Sequence, residues 1–290
     1  MSIFWSNTTA SGLGDRLIDL FLVASLAKVY NKELFLYWNT NYDPNKLQEK
    51  IWPKYRQDDF KIENVKQYFN FPNFIHINET IPNGSLIFNQ YLGGVYSPIT
   101  FYNNFINNKD ISLEYYINTY KTVINQFLPT TKLTSLVENI PDKLITIHLR
   151  RTDKSCDDVS SKETAYGVHI NELTDLNNIT HSIINDFIKK GYTNFYFASD
   201  CEVTKNEYEK LYSTYNIFNS KVNKDFEKTY RDIYIMSKSA YIILSQRHSN
   251  FSLFSSMINF TQLIYIYNDC IIHSAEYCKL NHIIFYKDIN

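Results

Sequence analysis

Apolar residues recur along this chain with two periods, and the alternation between them predicts the elements. Ile3, Phe4 and Trp5 form a short apolar run that predicts a first strand. After a turn containing Gly12 and Gly14, residues Leu17, Leu20, Phe21, Ala24, Leu26 and Ala27 recur at helical spacing up to Tyr30. Asn31 and Lys32 close that helix, and residues 33–38 predict a second strand. Strand, glycine turn, helix and strand together are the grammar of a Rossmann-like half. From 39 to 110 the chain is rich in Asn, Pro, Tyr and Lys with little periodicity. This portion reads as loop-rich, with one strand at 85–89 and a bend at Gly93 and Gly94. Residues 111–127 and 131–138 read as helical. Pro141 and Asp142 then punctuate the chain and set an expected domain border, dividing it into 1–140 and 141–290.

The second half is more regular. Apolar runs predict strands at 144–148, 194–198, 240–244 and 262–267, and helical periods fall at 178–190, 202–215, 225–238 and 252–259. Residues 156–174 are polar and read as a loop. This alternation predicts a parallel sheet. Three of the strands run into polar residues: His148, Arg150 and Arg151 after the first, Asp200 after the second, Arg247, His248 and Ser249 after the third. If the strands are parallel, these groups share one carboxyl edge, where open α/β sheets bind ligands. Two adjacent arginines at such an edge point to an anion, because a guanidinium fork matches phosphate oxygens and keeps its proton. A surface ion-pair cluster is the competing reading of any Arg-Arg pair. The coincidence of three polar strand ends favours the site.

Composition narrows the function classes. With 290 residues, 44% of them hydrophobic and 20% charged, the chain is long and apolar enough for one large domain or two of about 150 residues. A net charge of −1 argues against a generally basic nucleic-acid binder and leaves room for a local basic cleft. Cys156, Cys201, Cys270 and Cys278 contain no pair at CxxC spacing, so no structural zinc is expected and reduced thiols are the simpler reading. The first residues lack the basic start and apolar core of a signal peptide, and no apolar run approaches the ~20 residues of a membrane span. The expectation is a soluble cytoplasmic protein.

The stretch from His148 to Lys154, with His148, Arg150, Arg151 and Asp153 at fixed spacing, resembles the H-x-R-R-x-D motif of the α-1,6-, α-1,2- and protein O-fucosyltransferase superfamily. It is most similar to the core α-1,6 form, where Thr-Asp-Lys also follows the arginines. Gly12, Gly14, Asp15, Arg16 and Leu17, with the helix and strand after them, resemble the amino-terminal region of the bacterial nodulation α-1,6-fucosyltransferases. The block from Asp232 through Ser249, Asn250, Phe251 and Ser252 resembles the third motif of that family. The three blocks span most of the chain in the expected order.

The resemblance implies an α/β, GT-B-like enzyme of two Rossmann-like domains facing a cleft. The first domain would serve the acceptor and the second would hold the nucleotide sugar. L-fucose would pass from GDP-fucose to a glycan hydroxyl, with inversion, no metal and no cofactor besides the donor substrate. Its partners would be donor and acceptor, with neither nucleic acid nor a membrane span. A related GT-B enzyme using another nucleotide sugar, or a non-catalytic glycan- or nucleotide-binding relative, is the alternative. No Asp-x-Asp sequence stands at a strand end of the second half to chelate a diphosphate-bound metal.

Residue roles follow from matched positions. Arg150 would bind the β-phosphate and stabilise the leaving group, and Arg151 would support it. His148 and Asp232 would contact the guanosine or hold the site's geometry. Asp153, Asp200, Ser249, Asn250, Phe251 and Ser252 would complete the donor site, and Gly14 and Asp15 would face the diphosphate from the first domain. The family's candidate base lies ten residues after the motif histidine, here Asp158, with Lys154 as a proton relay and Asp157 as an alternative. Against these stand plainer readings: a core histidine at 148, an intrahelical pairing for Asp232, a packing role for Phe251.

Overall fold

The computed structural model describes residues 2–6, 12–38, 61–88, 92, 97–106, 110–150, 170–220, 225–245, 249–266 and 283–285. Its contacts divide the chain into two compact units: Met1–Ser135 with Lys224–Tyr230, and Leu136–Asn223 with Arg231–Asn290.

The first unit opens with strand β1 (Ile3–Ser6), helix α1 (Leu13–Val29) and strand β2 (Leu34–Tyr37). Every residue of α1 from Leu13 to Ala27 is buried except Asp15. Apart from Arg16, Asp19 and Ser25 these buried residues are apolar or small, and a helix apolar on nearly every side is stable only when it is covered. The Asp15 carboxylate turns back to accept from the Gly12 amide at 3.0 Å, and Asn31, at φ 50°, takes the left-handed conformation that ends the helix. Helix α2 (Ile62–Tyr68) runs into β3 (Phe69–Asn70), and β4 (Ile75–Ile77) and β5 (Leu86–Phe88) follow. Helices α3 (Pro98–Phe105) and α4 (Leu113–Gln126), strand β6 (Leu128–Pro129) and helix α5 (Thr131–Ser135) complete the unit.

The main sheet of this unit is parallel, in the order β4-β2-β1-β5, and β3 pairs antiparallel with β6. On α4 the residues Tyr116, Tyr120, Val123 and Ile124 make one buried stripe, and the Tyr116 hydroxyl donates to the Leu22 carbonyl of α1 at 3.2 Å. Residues 61–106 carry more regular structure than their weak periodicity indicates. Four short elements, α2, β3, β4 and α3, lie inside the portion expected to be loop-rich. The reason is length: α2 buries only Ile62, Val65 and Tyr68, too few positions to establish a period.

The second unit contains β7 (Ile145–Leu149), α6 (Ile170–Lys189), β8 (Asn194–Ser199), α7 (Glu202–Leu211) and β9 (Asn216–Ile217). Helix α8 (Asp225–Lys238), which belongs to this unit from Arg231 on, β10 (Tyr241–Leu244), α9 (Asn250–Asn259), β11 (Gln262–Tyr265) and β12 (Ile283–Phe285) follow. All six strands are parallel, in the order β12-β11-β10-β7-β8-β9. Read from the other edge, this is the doubly wound order of dinucleotide-binding folds. Helix α6 begins within the expected loop at 156–174, because its early residues are polar. The buried stripe of Leu176, Thr180, Ile183, Ile184 and Phe187 starts only later.

Strand β7 sits at the centre and is buried at every residue. Central parallel strands are covered on both faces, so they read as unbroken apolar runs. Ile145, Ile147 and Leu149 pack with Ile183, Ile184, Phe195, Phe197, Ile243 and Ile264. Leu144 points to the other face, among Tyr196, Ala198 and Ile235 of α8. The period of two places Thr146 and His148 on that same second face. There the Thr146 and Ser239 hydroxyls bond at 2.6 Å.

Candidate anion site at a strand edge

Strand order reverses between β7 and β10, so the second sheet has its switch point beyond their carboxyl ends. In open α/β sheets ligands bind in that crevice. On one side, Leu149 pairs with Ser199, which makes Arg150 and Asp200 the next residues on adjoining strands. Both are half-buried. The Ser199 hydroxyl donates to the Leu149 carbonyl at 2.6 Å and accepts from the Cys201 amide at 3.1 Å, tying the two strand ends together.

On the other side, His148 pairs with Leu244, and the Ser245 amide donates to the His148 carbonyl at 3.1 Å. The Ser245 hydroxyl bonds that of Thr180 on α6 at 2.8 Å. Helix α9 then starts with Ser249 as its N-cap and the Leu253 amide donating to the Ser249 carbonyl at 3.1 Å. An N-cap serine ordinarily accepts from an amide of the first turn. Ser249 makes no such bond, and its hydroxyl, in a residue only 1% exposed, has no hydrogen-bond partner. An unpaired buried hydroxyl costs about 1–3 kcal/mol. The first-turn amides of a helix have no intrahelical acceptor and lie at the positive end of its dipole. Together these make the start of α9 suited to an anion.

His148, 5% exposed, joins the two sides. Its Nδ1 hydrogen-bonds the Ser252 hydroxyl on α9, and its ring lies 5.6 Å from that of Phe251 at 46°. The structure thus brings His148, Arg150, Ser249, Asn250, Phe251 and Ser252 to one sheet edge, with Asp200 one strand further along.

Asp232 lies elsewhere. It sits on α8 and accepts from the Tyr196 hydroxyl at 2.6 Å and from Arg231 Nε and Nη2 at 2.9 and 2.7 Å. Tyr196 pairs with Thr146, two residues before His148. Arg231 also donates to the Ser220 carbonyl at 2.8 Å. Burial alone lowers the Arg231 pKa, but Asp232 and Tyr196 outweigh it and hold the guanidinium above its ordinary value. Burial, reinforced by Asp232, pushes the Tyr196 phenol well up. Gly14 and Asp15 lie in the first turn of α1 in the first unit, where Asp15 caps its own helix. Arg151, Asp153, Lys154, Asp157, Asp158, Arg247 and His248 lie outside the described residues.

Sequence reasoning missed the supporting hydroxyls of Ser199, Thr180 and Ser245 and the Tyr196–Arg231 pair. A serine ending each of two apolar runs, Ser199 and Ser245, was the available signal. Among the described residues no group of three or more His, Cys, Asp or Glu is placed to hold a metal, and no helix is long and apolar enough to cross a membrane.

No family model matches the chain, and no curated protein matches it. Solved structures do. A fucosyltransferase NodZ from Bradyrhizobium superposes with TM-score 0.53 at 11% identity, over 93% of this chain and 96% of that one. A NodZ α-1,6-fucosyltransferase soaked with GDP-fucose gives 0.50 at 12% identity, over 93% and 97%. One co-crystallized with GDP gives 0.51 at 11%, over 92% and 96%. At this identity the likeness is one of fold: an α/β chain with two Rossmann-like parallel sheets, shared by these enzymes over nearly their whole length.

Proposed function

We propose that this chain is a GT-B glycosyltransferase that moves L-fucose from GDP-fucose to a glycan hydroxyl, inverting the anomeric carbon without a metal. The observation that carries the reading is the buried, unpartnered Ser249 hydroxyl at the start of α9. It stands at the switch point of a doubly wound sheet, beyond the strand that Arg150 follows. The shared fold with a NodZ enzyme soaked with GDP-fucose supports the choice of donor.

In this reading 141–290 holds the donor and 1–140 serves the acceptor. Arg150, the Ser249 hydroxyl and the first-turn amides of α9 take the diphosphate, with Asn250 and Phe251 at its margin. Arg151 and Asp153 support the clamp, and Asp200 lies toward the nucleoside. Asp232 acts by holding Tyr196 and Arg231 in place. Gly14 and Asp15 are the first unit's candidates for a part in diphosphate binding. The acceptor oxygen attacks the anomeric carbon as the bond to the β-phosphate oxygen breaks. GDP leaves with the electron pair, and the hydroxyl proton passes to Asp158, with Lys154 as relay. Fixed donors aimed at the leaving diphosphate supply the stabilisation that a metal gives elsewhere. The setting is the cytoplasm.

The test is transfer from GDP-fucose and a panel of other nucleotide sugars to glycan acceptors. GDP-fucose should be the preferred donor, and Arg150→Ala should lower kcat by about 10²–10³-fold with an unchanged circular dichroism spectrum. GDP at saturation should raise the melting temperature. Most of the activity surviving in Arg150→Ala would sink the mechanism, and a melting temperature indifferent to GDP would sink the donor assignment.

A further inference from the structure

We propose that His148 and Ser252 form a clasp that positions the first turn of α9, so that its amides and the Ser249 hydroxyl converge with Arg150 on one phosphate. The proposal rests on the diphosphate reading of this site and assigns His148 the part of a positioning residue.

His148 is held at two points, one on its backbone and one on its ring. Its backbone carbonyl takes the Ser245 amide, which fixes where the chain leaves β10. Its Nδ1 hydrogen-bonds the Ser252 hydroxyl, which fixes the third residue of α9. One residue of the central strand therefore sets the position of both elements across the switch point. Serine has a single rotatable bond before its oxygen, so anchoring the Ser252 hydroxyl anchors the backbone of the first helical turn. The amides that turn presents belong to Asn250, Phe251 and Ser252. Phe251 packs beside the same imidazole and limits rotation of the turn. A binding group must be held to about 0.5 Å by its supporting shell to be effective. The Ser249 hydroxyl shows that the shell does not satisfy everything: the clasp is complete, while the group it presents is left without a partner.

The two imidazole nitrogens separate this role from direct contact with the donor. Asparagine places a polar atom near the position of Nδ1, and glutamine places one near Nε2. Binding of GDP by calorimetry should weaken about tenfold in Ser252→Ala and in His148→Phe, as expected for one lost buried hydrogen bond. His148→Asn should stay within about threefold of wild type, and His148→Gln should bind as poorly as His148→Phe. Restoration by Gln with failure of Asn would overturn the clasp in favour of contact through Nε2. Hydrogen exchange over 249–256 with inorganic pyrophosphate as probe gives the second arm. Pyrophosphate should protect this segment in the wild type and not in Ser252→Ala. Equal protection in both proteins, or none in the wild type, overturns the clasp. Protection by pyrophosphate without binding of GDP leaves the clasp standing and removes the GDP reading instead.

Discussion

Ser249 combines two opposite energetic demands in one hydroxyl. Buried without a partner, it weakens the free protein; facing an anion, it gains one. Ser249→Ala should therefore raise stability to urea by up to about 1 kcal/mol while weakening GDP binding severalfold. Urea denaturation and calorimetry on the same variant check both signs, and a loss of stability together with unchanged affinity would make Ser249 an ordinary cap. At this scale the sequence is legible where chemistry interrupts an apolar run. His148 and Arg150 stand out because β7 stops in charge. The partners of Asp232 do not stand out. Tyr196 lies inside the apolar run of β8, and its hydroxyl reaches Asp232 only because strand alternation turns that ring toward α8. The meeting with Arg231 depends on the same packing.

Two contacts between elements carry measurable weight. The Tyr196–Asp232–Arg231 group ties β8, α8 and the Ser220 carbonyl through residues that are at most 9% exposed. Arg231→Met leaves the buried carboxylate without its cation and should cost about 3–5 kcal/mol in chemical denaturation. Adding Asp232→Leu should recover much of that loss. Between α6 and α7, His181 stacks on Tyr208 at 4.8 Å and its Nδ1 bonds the Tyr212 hydroxyl at 2.8 Å. Burial lowers its pKa, so folding favours the neutral ring. The unfolded imidazole, near 6.5, takes the proton first as pH falls. The stability that His181 contributes is full above that value and declines below it. Melting temperature measured from pH 7 to pH 5 should fall less steeply in His181→Phe than in the wild type. The long helices and the buried strands of the second half were readable from period alone. Strand β4, with three residues, was not, because its pairing with β2 rather than its own pattern makes it a strand.

At the scale of the molecule, alternation of strands and helices read a Rossmann-like opening in the first half and a parallel sheet in the second; the motif resemblance made these two Rossmann-like domains, and the superposition on NodZ structures bears out that fold. Strand order was not readable. Right-handed crossovers permit a chain to add strands on either side of the first. What decides the site is that β8 and β9 were laid on one side of β7 and β10 to β12 on the other. The same feature governs how the unit can assemble. Strand β7 meets β8 about 50 residues later, but meets β10 only about 95 residues later, at the pairing of Ile145 with Tyr241. Loops of that length close slowly, and parallel sheets of this kind fold late. During synthesis the central, fully buried strand of the unit must wait, with one edge uncovered, for the segment that brings Ser249 and Ser252. The anion site and the last hydrogen-bonded edge of the central strand are thus completed by the same late event, so a chain cut short before Tyr241 lacks the site and carries an open edge prone to aggregation.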